Sequence, residues 1–256
     1  MKGVDISHYQ DGLTIRQLMD AGRDFAVIKV TEGTGYVDPS AFAFYREAHE
    51  LGFPLGGYCY SHAVNAQQAM AEAAYLLDTV KGFPLPCGVY LDMEEPDQLA
   101  LGHDTLLHII RGWCEYISRA GYTPGIYSSA GTLWAKVHPN ELPTSCLVWV
   151  AKWSDTPPDL PCDLWQNSDH GTIPGYEGPV DTDEARSCCF KELVELGRTV
   201  PQEDKAPDAC PLDGPCGADD HFRDVTKMID SLAAYIETDE FKIGFQKFIN
   251  TRRENK

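Results

Sequence analysis

The stretch Gly88-Val89-Tyr90-Leu91-Asp92-Met93-Glu94-Glu95-Pro96-Asp97 (GVYLDMEEPD, 88–97) turns from apolar to acidic within a few residues. Gly88 to Leu91 has the composition of a buried strand, and Pro96 closes it. Side chains alternate along a strand, so Asp92 and Glu94 leave one face while Leu91 and Met93 leave the other. Two carboxylates on one face repel each other, and an apolar setting raises the pKa of at least one. Fold stability gains nothing from that arrangement. Acid–base chemistry does. A solvated loop edge is the bland alternative for the same residues.

Outward from this stretch one pattern repeats. Strand-like runs fall near 3–6, 25–31, 55–60, 88–93, 124–128, 147–151, 163–166 and 179–182. Helical patterns separate the first five: 14–21 with Ile15, Leu18 and Met19, and 40–51 with Phe44, Tyr45 and Ala48. They continue in 65–81, which opens on Asn65-x-x-Gln68, and in 104–120 with Leu107, Ile110, Cys114 and Ile117. Gly22, Gly52, Gly82 and Gly121 stand where left-handed caps are expected. Alternating strands and helices imply parallel strands joined by helical crossovers. Eight strands point to an α/β barrel of TIM type. Helical patterns shorten or vanish after the fifth strand, so the barrel is expected to be irregular. A doubly wound sheet is the alternative, but no G-x-G-x-x-G or P-loop follows the first strand.

The chain of 256 residues suits one barrel with an appendage. Its formal charge of −18 argues against nucleic acid and gives no attraction to an anionic membrane. No apolar run approaches the roughly 20 residues that span a bilayer. Met1 to Asp5 lack the apolar stretch of a signal peptide, so synthesis in the cytoplasm is expected, with any export by another route. Nine cysteines are an odd number, and Cys59, Cys114 and Cys146 fall inside expected elements. Reduced core thiols are therefore expected. Cys210 and Cys216 flank a Pro/Gly turn and could pair, and whether they do stays open.

Composition shifts at 199–216, TVPQEDKAPDACPLDGPC, which reads as a Pro-rich linker. Beyond it Phe222, Val225, Ile229, Leu232 and Ile236 form an a/d stripe, and Phe241, Phe245, Phe248 and Ile249 mark a second short helix. The expectation is a catalytic-size barrel over 1–198, the linker, and a helical appendage over 217–256. Two helices bury little alone, so they are expected to dock on the barrel or on a second copy, or to target the chain.

Parallel strands share a rim at their C-terminal ends, where functional side chains gather. Asp5 follows Val4 on the first strand, Glu32 ends the second, and Tyr58 and Tyr60 lie on the third. Asp92 and Glu94 end the fourth, and Tyr127 ends the fifth. Trp149 lies on the sixth, Gln166 follows Trp165 on the seventh, and Asp181 follows Val180 on the eighth. Aromatic faces stack on sugars, and paired carboxylates do glycosidic acid–base work. A metal site built from the same carboxylates is the competing chemistry, although no histidine has an evident place among them. No metal or cofactor is expected. The bland readings are a helix cap for Asp5, barrel core for Tyr127 and Trp149, hydrogen-bonded structural roles for His8 and His62, and solvent for Glu95.

GVDISHYQ (3–10), VIKVTEGTGYVDPSAF (27–42), GGYCYSH (56–62), YLDMEEP (90–96), PGIYSS (124–129), VWVAKW (148–153), LWQNS (164–168) and GPVDTDEA (178–185) occur in that order. Together they resemble glycoside hydrolase family 25, the Chalaropsis-type lysozymes, over 1–198, with FKELVELG as the closing helix. The resemblance implies an irregular barrel and an N-acetylmuramidase. Such an enzyme cuts the β-1,4 bond from N-acetylmuramic acid to N-acetylglucosamine in peptidoglycan glycan strands. By position Glu94 matches the family's general acid, Asp92 its second carboxylate, and Asp5 and Asp181 its two further aspartates. Whether Asp92 attacks the anomeric carbon or orients the substrate N-acetyl group stays open. The chain departs at Tyr58-Cys59-Tyr60, where the family more often has Tyr-His-Phe. With no signal peptide, an endolysin acting on the wall after release is the expected setting; a catalytically silent glycan-binding module is the alternative.

Overall fold

The computed structural model describes residues 1–198. The linker and the helical appendage expected beyond them, and the Cys210–Cys216 pair, lie outside the described residues. Nine strands form one sheet: β1 (Lys2–Ile6), β2 (Phe25–Glu32), β3 (Tyr36–Val37), β4 (Leu55–Tyr60), β5 (Val89–Asp92), β6 (Pro124–Ser129), β7 (Leu147–Ala151), β8 (Leu164–Gly171) and β9 (Val180–Ala185). The order β1-β9-β8-β7-β6-β5-β4-β2, closed by the β1–β2 pair, makes an eight-stranded barrel, with β3 hung on β2 as an outer hairpin. Helices α1 (Ile15–Asp20), α2 (Ala41–Leu51), α3 (Ala66–Thr79) and α5 (His103–Arg119) fall where the periodicity places them. The short α4 (Pro96–Leu99) and β3 carry too few residues to show a period and were not expected. Helix α6 (Cys188–Arg198) contains the expected closing segment.

Local chemistry sets these boundaries. The Thr14 hydroxyl accepts from Gln17 N–H, and Gln17 returns the bond to Thr14 N–H, a reciprocal cap on α1. Asn65 Oδ1 accepts from Gln68 N–H at 2.9 Å and starts α3. The expected glycine stops all have positive φ, and Gly52, at 62°, gives both its own N–H and that of Phe53 back to α2.

The expectation of eight parallel strands fails at the last. β9 runs antiparallel to both β8 and β1. The connection 172–179 is shorter than the dozen or so residues that a parallel crossover needs. Asp181 therefore reaches the rim from the start of β9, paired with Asp5 near the end of β1.

The outward strand faces pack Val4, Ile28, Leu91 and Ile126 against Leu18, Phe44, Leu76 and Trp113 of the helices. A second core fills the barrel with Phe25, Val27, Tyr90, Leu147, Trp149 and Leu164, and Phe190 and Val194 of α6 plug the end opposite the rim. Phe190 meets Phe25 edge-on, with ring centroids 5.0 Å apart. The inner rings fit because glycines face them. A Cβ on Gly125 would stand 2.2 Å from the ring of its cross-strand partner Tyr90, whose hydroxyl is tied to Cys87 O at 2.8 Å. Gly125→Ala is therefore expected to cost about 1–3 kcal/mol as an overpacked core. Urea unfolding measures this; a neutral result would mean that Tyr90 can move. Cys59, Cys87, Cys114 and Cys146 are free and buried, as expected for core thiols.

Candidate active site

The rim surrounds a cavity of about 440 Å³, open to solvent. Every site residue singled out in the sequence lines it, joined by Ser7, Tyr9, Lys29 and Glu95. The inward faces of the strands explain this. Asp5, Tyr58, Tyr60, Asp92 and Tyr127 occupy alternate positions whose neighbours Val4, Cys59, Leu91 and Ile126 face outward. The departure at Cys59 thus leaves the aromatic lining in place: Cys59 is buried outside the barrel, its thiol pushed up by burial.

One side of the mouth is an acidic chain held by Gln166. The amide nitrogen of Gln166 donates to Asp5 Oδ2 at 2.9 Å and reaches Asp181 Oδ2 at 3.5 Å. Its carbonyl oxygen accepts from the Tyr127 hydroxyl and the Trp153 indole N–H, both at 3.0 Å. Burial, then the nearby Asp183 and Asp181 charges, push the Asp5 carboxyl well above the usual aspartate range. Burial and the Asp169 charge raise Asp181 to about 6. The helix-cap reading of Asp5 does not hold: Ser7 and Gln10 cap the turn that follows β1.

The other side carries Asp92 and Glu94. Asp92 is 6% exposed, and its Oδ1 is buried with no hydrogen-bond donor facing it. Burial first, then the charge of Glu94, raise its pKa strongly, while Lys29 opposes the rise. Glu94 is exposed at the rim. Its carboxyl is also raised, by burial of its surroundings and then by Asp181, with the Tyr127 hydroxyl opposing. Glu94 and Asp92 repel each other at the end of β5, and Asp181 adds a second negative charge from across the mouth.

Lys29 is the cation of this mouth. It is 7% exposed, donates to Glu32 Oε2 at 2.6 Å, and lies 5.1 Å from the Tyr60 ring centroid. That bond holds Glu32 below the usual glutamate range. Glu32 Oε1 lies 3.2 Å from His62 Nε2, and His62 Nδ1 lies 3.5 Å from Glu95 Oε1. Glu95 is therefore part of the cavity wall, a correction to its reading as solvated. His8 keeps a structural role, 2.7 Å from the buried Asp38 carboxylate. Trp149 is 1% exposed and forms the floor, its indole N–H donating to Asp183 Oδ1 at 2.8 Å.

Lys29, Trp153 and Asp183 escaped the sequence reading. Asp183 had a signal: Asp181-x-Asp183 has the same two-residue spacing as Asp92-x-Glu94. Lys29 also had one, as a charge at an inward position between Val27 and Thr31. Among the described residues no group of three or more His, Cys, Asp or Glu is arranged to hold a metal ion.

Residues 4–176 match the family described as Glycosyl hydrolases family 25. This chain belongs to that family. It is 30% identical over 217 residues to Lysozyme M1 of Streptomyces globisporus, covering 78% of this chain and 72% of that one. The Autolytic lysozyme of Clostridium acetobutylicum is 28% identical over 204 residues, and the match spans 78% of this chain but only 59% of the clostridial protein. Among solved structures, a muramidase from Trichobolus zukalii superposes with a TM-score of 0.62 at 26% identity, covering 78% of this chain and all of that one (100%).

Proposed function

We propose that this family 25 chain is a peptidoglycan hydrolase, an N-acetylmuramidase that cleaves the β-1,4 bond between N-acetylmuramic acid and N-acetylglucosamine. The observation that carries this reading is the pair on β5 and just beyond it: an exposed Glu94 whose carboxyl is raised above the usual glutamate range and a buried Asp92 on one face, in a cavity walled by tyrosines. Glu94 gives its proton to the glycosidic oxygen as the bond breaks. Asp92 stabilises the positive charge that develops at the anomeric carbon. Asp5, Asp181 and Gln166 hold the far wall, and Tyr58, Tyr60 and Tyr127 line the glycan path beside Glu32, over the Trp149 floor. The names of the relatives support the wall as target. An endolysin made in the cytoplasm and released to the wall is the setting we assign, with self-association through 217–256 as part of the same proposal.

Mass analysis of digested peptidoglycan tests the reading. New reducing ends are expected on muramic acid, with no freed amines and no cleaved peptides. Reducing ends on glucosamine would refute the bond assignment, and intact glycan would leave a binding module.

A further inference from the structure

Beneath Asp5 lies a carboxyl that no step above uses. Asp183 sits on the inward face of β9, two residues below Asp181, and is 1% exposed. Its Oδ1 is satisfied by Trp149 from β7, but its Oδ2 is buried with no donor facing it. The Asp183 carboxyl also interacts directly with the Asp5 carboxyl from β1. The other charged or titratable groups acting on it are Asp181 on β9, Tyr90 on β5 and Arg23 in the turn before β2. Two buried acceptors side by side repel unless a proton lies between them. The Asp5 side of this contact is fixed, because Gln166 already donates to Asp5 Oδ2.

We propose that Asp183 is a positioning residue that holds one proton between itself and Asp5 through neutral pH. The pair then carries a single negative charge, and Asp5 remains an acceptor toward the Gln166 amide. Gln166 consequently keeps its carbonyl oxygen toward the Tyr127 hydroxyl, which fixes the Tyr127 side chain beside Glu94. Burial that raises Asp183 to about 8 agrees with a retained proton.

The consequence for stability has a definite sign. A group whose folded pKa is raised contributes stability that is fully present below its unfolded pKa and lost as pH rises through the folded one. Asp183→Asn keeps an amide donor toward Asp5 and an acceptor for Trp149, and does not titrate. The melting temperature of wild type is therefore expected to fall relative to Asp183→Asn as pH rises from the usual aspartate range through about 8. A difference that stays flat across that window overturns the proposal. Carbon NMR of wild type labelled at the aspartate carboxyls needs no variant: Asp5 and Asp183 both in the ionised position at neutral pH also overturns it. The link to Glu94 rests on the muramidase reading and is read separately. Asp183→Leu, which removes both hydrogen bonds, is expected to lower kcat by about tenfold or more, and Asp183→Asn to restore most of that loss. Equal losses in the two variants overturn the positioning role. If wild type cleaves no glycan while the melting and NMR results hold, the proton assignment stands and the muramidase reading falls.

Discussion

Glu94→Gln is expected to lower kcat/KM on peptidoglycan by about 10²–10⁴-fold, the range that general acid catalysis commonly supplies. The amide nearly matches the carboxyl in shape but cannot give up a proton to the leaving oxygen. Glu94 is exposed at the rim and supports no core packing, so the variant should melt with wild type. Wall-lysis rate against a circular-dichroism melt separates lost chemistry from lost fold. More than about a tenth of wild-type activity would be too much for a missing acid. Glu95→Gln is the control. It loosens the contact to His62 and removes only the smallest of the influences that raise Glu94, so its effect should be far smaller. Should the two variants lose activity equally, the acid is Glu95 or the pair acts together.

How legible this site was depends on which physical pattern each residue obeys. The helices declared themselves because a 3.6-residue apolar period and a terminal glycine are both local signals. β1, β2 and β4 to β8 were found for a similar reason, as apolar runs of strand length. A period of two carries no direction, however, so nothing in 179–182 says that β9 runs backward. Asp181 was placed on the correct rim, but on an argument that required a parallel strand. The length of 172–179 was the available clue. Asp92 and Glu94 stood out because acids interrupt an apolar run. Asp183 has the same spacing from Asp181 but sits in a segment already acidic, and its contrast was lost. Lys29 was hidden differently, since a lone lysine in a strand reads as an edge or a snorkelling side chain until the barrel closes around it. One of the charges acting on Glu94 was not legible: Asp181 acts across the mouth, and only closure of the sheet brings the two together.

Asp92→Asn is expected to lose activity by about 10²–10³-fold while raising the melting temperature at neutral pH. The loss follows from charge: an amide cannot counter the positive charge that develops at the anomeric carbon, whether Asp92 bonds to that carbon or steers the N-acetyl group. The gain follows from the cost of the native carboxylate. Asp92 is buried, one oxygen faces no donor, and burial with the Glu94 charge raises its pKa. A raised folded pKa means that protonation favours the fold, so its contribution is present below the unfolded pKa and lost as pH rises through the folded one. The neutral amide removes that loss. Lys29 limits the gain, because its charge partly offsets the Asp92 carboxylate. Stability and activity should therefore move in opposite directions at this position, as they do where a strained site serves chemistry. Melting curves of wild type and Asp92→Asn in the usual aspartate range and at neutral pH decide it. The gap should widen toward neutral pH. If Asp92→Asn melts below wild type throughout, donors not evident around Oδ1 already satisfy the carboxylate, and the buried charge is no burden on the fold.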